Sequence, residues 1–307
     1  MEKNTFKIKA WLSAFRLRTL PLALASIGMG GFLAAAENMF DLKIFFFCIL
    51  TTLFLQILSN LANDYGDYHN GADHIGRIGP DRAVQSGAIS PASMKYAIIL
   101  FVALSFFSGL YLLYISHTLT SVNTFGFFLA IGVLSIIASI KYTAGKNPYG
   151  YAGLGDISVL LFFGWVGVMG TYFLQTGKIT SLILFPASAC GFFSTAVLNV
   201  NNTRDIESDK MAGKMTIPVR VGPLKARIYH CILLYSGLLC AILFTIFSFK
   251  SFWQFLFLLA LPMLILNAIH VYKIKDPKKL DPYLKQMALT TLVFVITFGI
   301  GLLIANK

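Results

Sequence analysis

The chain has 307 residues, of which 57% are hydrophobic and only 12% charged. Soluble domains average roughly a quarter charged residues, so this composition cannot cover a water-facing surface. It excludes an ordinary soluble enzyme, a disordered chain and a nucleic-acid-binding domain, and the formal charge of +12 then reports membrane topology rather than a polyanionic partner.

Runs of about 20 apolar residues, enough to cross a hydrocarbon core about 30 Å thick, recur nine times, over 20–36, 43–62, 95–115, 123–141, 154–174, 180–199, 229–247, 252–272 and 287–305. Ala34-Ala35-Ala36 has the small residues of a signal-cleavage site, but it lies unusually far from the start, after the late basic residues Arg16 and Arg18, and further spans follow, so the first run reads as a retained span. Backbone groups in lipid must pair internally, and the alternation of a transmembrane barrel is absent. The predicted fold is all-α: a polytopic membrane protein with nine transmembrane helices in one bundle, residues 1–307 forming a single domain. Cys48, Cys190, Cys231 and Cys240 fall in apolar stretches with no C-x-x-C spacing and read as small buried hydrophobes.

Of the 25 Lys and Arg residues, 21 fall on the N-terminus and the 2–3, 4–5, 6–7 and 8–9 connections, leaving Lys43, Lys178, Lys250 and Lys307 on the other side. The positive-inside rule places the N-terminus in the cytoplasm and the C-terminus across the cell (inner or plasma) membrane. Two connections on the cytoplasmic side are long, about 63–94 and 200–228, and long ordered loops are usually functional. They carry Asp-rich clusters. In Asn60-Leu-Ala-Asn63-Asp64-Tyr65-Gly66-Asp67, the residues Asn60, Asn63, Asp64 and Asp67 fall within about a 100° arc if the segment is helical. In Asn202-Thr-Arg204-Asp205-Ile-Glu207-Ser-Asp209, the residues Asn202, Asp205 and Asp209 share about 60°, while Arg204 and Glu207 face away as an i,i+3 pair.

Two carboxylates about 6 Å apart repel by roughly 2–3 kcal/mol at an effective dielectric of 20. Such clusters near a bilayer share protons, pair with cations or hold divalent ions. All-oxygen Asp/Asn ligation suits a hard ion, and Mg²⁺ commonly bridges protein carboxylates and a phosphorylated ligand. Arg77 and Arg82 in the first long connection and Lys146 after the fourth span suit a polyanion such as diphosphate. A solvated, capped helix end is the alternative for each cluster.

These residues carry a resemblance. Asn63-Asp64-x-x-Asp67 and Asp205-x-x-x-Asp209 resemble the two aspartate-rich motifs of the UbiA superfamily of intramembrane prenyltransferases, and nine helices extend the likeness over nearly the whole chain. Arg16-Leu-Arg18-Thr19-Leu20-Pro21, Arg77-Ile-Gly79-Pro80 and the run from Asn201 to Thr216 are most similar to the branch of that superfamily that prenylates 1,4-dihydroxy-2-naphthoate in menaquinone synthesis. The likeness implies a polyprenyl diphosphate donor, a naphthoate acceptor and Mg²⁺ as cofactor, with CO₂ lost from the acceptor. It implies metal ligation by Asn63, Asp64, Asp67, Asp73, Asp205 and Asp209. It implies diphosphate contacts from Asn60, Asn202, Arg77, Arg82, Tyr142 and Lys146, the last two through a Tyr142-x-x-x-Lys146 spacing. A third Asp of the first motif is replaced here by Gly71, whose place Asp73 takes if Gly71 ends the helix. Asp156 stands where that branch often has Glu, which implies a contact with the acceptor, a helix cap being the alternative. Two other functions stay open: the same chemistry on another aromatic acceptor such as 4-hydroxybenzoate, and a divalent-cation or proton-coupled transporter.

Overall fold

The computed structural model describes residues 2–71, 79, 82–116 and 121–307. Among these, nine helices are long and apolar enough to cross a membrane: Ile8–Ala36, Leu42–His69, Pro91–Ile115, Val122–Lys141, Gly155–Thr176, Ser181–Arg204, Ile217–Phe247, Phe252–Lys273 and Pro277–Ala305. The chain is an all-helical, multi-pass membrane protein.

Several helices outrun their apolar segments, always at the face that carries the acid clusters. The second continues to His69 and the seventh begins at Ile217, so the first acid cluster is wholly helical. Most of 200–228 is helical too, through a short helix at Ile206–Met211. Hydropathy marks the length that meets lipid, whereas the backbone stays helical wherever its hydrogen bonds continue. The second long connection is therefore largely helical, and Asp64 and Asp67 of the first lie on the end of a helix. The second helix stops as expected of its glycine: Asn70 follows His69, and Gly71 turns left-handed at φ 71°.

An N-terminal helix, Glu2–Phe15, precedes the apolar part of the first span. Arg16 separates them in the left-handed conformation (φ 50°, ψ 56°), followed by a 3₁₀ turn at Leu17–Thr19. Pro21 then sits in the first turn of Leu20–Ala36, where its missing N–H leaves no hydrogen bond unmade. The seventh span kinks at Gly222 and Pro223.

The sixth span is the most enclosed, with 61% of its apolar window buried. It packs against the fifth, seventh, ninth and first. Ala187, Ala189, Cys190 and Ala196 are fully buried along it, and small side chains of this kind let helix backbones approach closely in lipid. The fourth span is the opposite case, at 6% buried, and packs on the second and third. Two ties join it to the fifth near opposite ends. At the acid-bearing face, the Tyr149 hydroxyl donates to the Ala138 carbonyl and accepts from Ser158 Oγ, both at 3.0 Å. Toward the far face, Phe128 stacks on Phe173 with ring centres 4.9 Å apart.

The connection after the fourth span folds back onto the second. Thr143 Oγ1 lies 2.9 Å from Asn63 Oδ1 and donates to it, and Asn70 Nδ2 donates to the Thr143 carbonyl at 2.7 Å. Gly66 permits this approach: a Cβ there would lie 2.7 Å from the Thr143 carbonyl carbon and oxygen. Gly66→Ala is expected to force the two segments apart and destabilise the protein by about 1–3 kcal/mol, read as a lower melting temperature of the detergent-purified protein.

Candidate active site

A cavity of about 630 Å³ runs between the first six spans. Its mouth, at the acid-bearing face, is lined by Arg16, Asn60, Asn63, Asp67, Arg82 and Lys214. Deeper, the walls are apolar, with Ile27, Leu112, Phe128, Phe162 and Leu174 among them. Phe127 and Trp165 also line it while 62% and 39% exposed, so the cavity opens sideways between the fourth and fifth spans.

Asp67 is the centre of the mouth. It is 2% exposed and accepts from Arg82 at 3.1 Å, from the Tyr151 hydroxyl at 2.9 Å and from Lys214 at 3.0 and 3.2 Å. Lys214 Nζ also lies 4.0 Å from Asp209, so one ammonium spans both acid clusters. Asp64 is turned away from the cavity lining. Its carboxylate accepts the backbone N–H groups of Ala83 and Val84 at 3.0 and 3.2 Å, which fixes the segment that carries Arg82.

The second cluster is organised by a cation. Arg204, 2% exposed, grips Asp205 through two nitrogens at 2.8 and 2.7 Å, donates to Asn201 at 2.9 Å and pairs with Asp281 at the start of the ninth span. Arg18 closes the chain by donating to the same Asp281 at 3.0 and 3.2 Å. The expected outward Arg204–Glu207 pair is therefore not formed. Arg204 ends the helix on its buried side, and the break that follows at Asp205 (φ −97°, ψ 13°) re-aims the next turn and leaves Glu207 exposed. The 60° arc assumed an unbroken helix, and the break invalidates that geometry.

The remaining expected residues divide. Asn60, Asn63, Asn202, Arg82 and Tyr142 line the cavity with Asp67. Asn60 also ties the second span to the first by donating to the Phe15 carbonyl at 2.9 Å. Burial pushes the Tyr142 phenol far above its ordinary range, followed by the charge of Asp156, so it stays protonated and able to donate. Lys146 is exposed, follows Gly145 at φ 101°, and is not part of the lining. Asp205 and Asp209 are buried beside the mouth without lining it. Asp156 is buried, accepts from the Tyr229 hydroxyl at 3.2 Å and does not line the cavity; the cap residue of its helix is Leu154. Asp73 and Arg77 lie outside the described residues.

Lys214, Tyr151, Arg16 and Asp281 belong to this arrangement but were not expected in it. Lys214 follows Gly213, one of the left-handed glycines, which aims it back at the first cluster. Asp281 is a single acid amid Lys278, Lys279 and Lys285, and an acid at a helix start reads from sequence as a dipole partner.

Among the described residues, no three His, Cys, Asp or Glu side chains converge closely enough to hold one metal ion. Each motif carboxylate is instead matched by a cation or by backbone N–H groups. The donor set nonetheless fits a hard divalent ion: it is all oxygen, and the Lys214 ammonium already stands as positive charge between Asp67 and Asp209.

The model of the UbiA prenyltransferase family matches residues 23–292. The chain is 48% identical over 300 residues to a protein of Haemophilus influenzae named 1,4-dihydroxy-2-naphthoate octaprenyltransferase, covering 97% of each. It is 46% identical to the Escherichia coli protein of the same name, covering 99% of this chain and 98% of that one. A solved UbiA homolog from Archaeoglobus fulgidus bound to GPP and Mg²⁺ superposes with a TM-score of 0.61 at 17% identity, covering 94% of this chain and 99% of that one, which shows a shared fold.

Replacing Arg204 by Met leaves the Asp205 carboxylate buried and strips Asp281 of one of its two partners. The expected loss is about 3–5 kcal/mol of stability, the usual result of removing one side of a buried pair, measured by thermal unfolding in detergent, with Arg204→Lys intermediate because it keeps the charge and loses the two-pronged grip.

Proposed function

The chain belongs to the UbiA prenyltransferase family, and from that premise we propose that it transfers a polyprenyl group from an allylic diphosphate to 1,4-dihydroxy-2-naphthoate, releasing diphosphate and CO₂. The observation that carries the reading is the cavity, with both acid clusters and their cations at one end and apolar walls along the rest. A polyprenyl tail is as insoluble as lipid and suits the apolar length and its lateral opening, and the diphosphate suits the mouth. The names of the relatives make an octaprenyl tail the first donor to test.

In this reading Arg82, Arg16 and Lys214 hold the diphosphate by charge-assisted hydrogen bonds, with Asn60, Asn202 and protonated Tyr142 as further contacts. Asn63, Asp67, Asp205 and Asp209 are the metal ligands among the described residues, and Asp73 extends the set outside them. Asp64 supports the set by holding the Ala83–Val84 backbone. Bound there, Mg²⁺ supplies Lewis-acid stabilisation of the negative charge on the departing group. The allylic C–O bond breaks with both electrons leaving on the diphosphate oxygen, and the cationic side chains at the mouth offset that charge. The resulting carbocation needs a dry surround, and the Tyr142 and Phe162 rings on the cavity wall offer electron-rich faces. The naphthoate carbon bearing the carboxylate forms the new C–C bond, and CO₂ departs, returning its electron pair to the ring. The bias of 21 of 25 basic residues supports an orientation with this mouth in the cytoplasm.

Membranes containing the protein, supplied with octaprenyl diphosphate and a panel of acceptors with and without Mg²⁺, are expected to yield the prenylated, decarboxylated naphthalene product only with the naphthoate and the metal, as read by product mass. Product from 4-hydroxybenzoate alone overturns the acceptor. Asp67→Asn and Asp209→Asn are each expected to lower the rate by about 100-fold or more while the protein accumulates normally, and near-wild-type rates in both refute the metal assignment.

A further inference from the structure

Lys214 lies outside both acid motifs and joins them. Its ammonium is 3.0 and 3.2 Å from the two Asp67 oxygens, 4.0 Å from Asp209 and 5.0 Å from the centre of the Tyr151 ring. The backbone around it is fixed. Gly213 turns left-handed at φ 71°, Lys214 N–H donates to the Asp209 carbonyl at 2.7 Å, and Met215 N–H donates to the Tyr151 carbonyl at 2.9 Å. The side chain is 14% exposed and lines the mouth of the cavity.

We infer that Lys214 is a diphosphate-binding residue that also guards the metal position: its ammonium stands between Asp67 and Asp209 and moves onto the diphosphate oxygens when donor and metal enter together. The inference deepens the proposed function and rests on Asp67 and Asp209 being metal ligands. A bare divalent ion approaching these carboxylates meets a unit positive charge already between them, in a partly buried place where charges are weakly screened. Expelling that ammonium requires another anion to receive it, because an ammonium removed from its carboxylates without a new partner bears an uncompensated cost. A diphosphate provides the anion for Lys214 and the remaining oxygens for the metal. The site thereby discriminates against the metal alone and favours the metal–diphosphate pair, and by linkage each raises the affinity of the other.

The test uses the full-length protein in detergent, with Lys214→Met, Lys214→Gln, the charge-retaining Lys214→Arg, and Lys210→Met as a control on a nearby exposed lysine. Binding of Mn²⁺ alone is followed by the electron paramagnetic resonance of the free ion, and the Michaelis constants for polyprenyl diphosphate and for the naphthoate are measured separately in Mg²⁺. Both neutral variants are expected to bind Mn²⁺ alone about tenfold more tightly than wild type. In the same variants the Michaelis constant for the diphosphate should rise about tenfold and that for the acceptor stay level. Lys214→Arg and Lys210→Met should keep wild-type Mn²⁺ affinity. Mn²⁺ affinity unchanged or weakened in both neutral variants overturns the guarding role, and an unchanged diphosphate constant overturns the binding role. Failure of wild-type protein to prenylate the naphthoate refutes the broader function and leaves the Mn²⁺ comparison standing as an independent result.

Discussion

Negative charge held beside a hydrocarbon layer must be compensated locally, and the face of the bundle that carries the acids is built around that requirement. A buried carboxylate without a partner costs several kcal/mol, so each described acid of the two motifs recruits a cation or backbone donors. Asp64 takes two backbone N–H groups, Asp67 takes Arg82, Lys214 and Tyr151, and Asp205 takes Arg204. These contacts reach across the chain. Through Asp281, Arg204 and Arg18 connect the sixth, ninth and first spans, and Lys214 connects the second span with the segment between the sixth and seventh. Charges at and beside the cavity mouth thus also fasten the helices together at one end.

This double use separates the roles of neighbouring acids. Asp64 and Asp67 lie three residues apart on one helix, about one turn, yet one secures the backbone that presents Arg82 and the other faces the cavity. Two acids of one motif, a single turn apart, therefore touch different partners. Asn60 shows the same economy, since its amide ties the first span in place while the residue remains on the cavity wall.

Much of the fold was legible in the sequence because lipid imposes a strict length on apolar runs, and nine runs became nine spans among the described residues. The acid clusters were legible because acids are scarce in such a chain. Helix ends were less so: polar residues such as Asn60 to Asp67 continue a helix past the lipid boundary, and hydropathy has no term for that. The Arg204–Glu207 pair was misread because a helical wheel presumes constant phase, and the break at Asp205, with ψ near 13°, re-aims Glu207. Lys146, expected by spacing to contact diphosphate, is exposed and is not among the lining residues. Asp281 could not be placed from spacing, nor could Lys214 be placed against Asp67, since those partners lie 77 and 147 residues away along the chain.

The loosely joined fourth and fifth spans give the cavity a second exit. The helices are tied by Tyr149 toward one face and by the Phe128–Phe173 stack toward the other, and exposed apolar side chains border the gap between. A product that keeps its whole tail and loses its charged diphosphate has little reason to return through the polar mouth; its partition coefficient carries it sideways into the bilayer. Departure then depends on how readily acyl chains make room at that flank, so membrane order, rather than diffusion through water, becomes the medium-dependent variable of turnover.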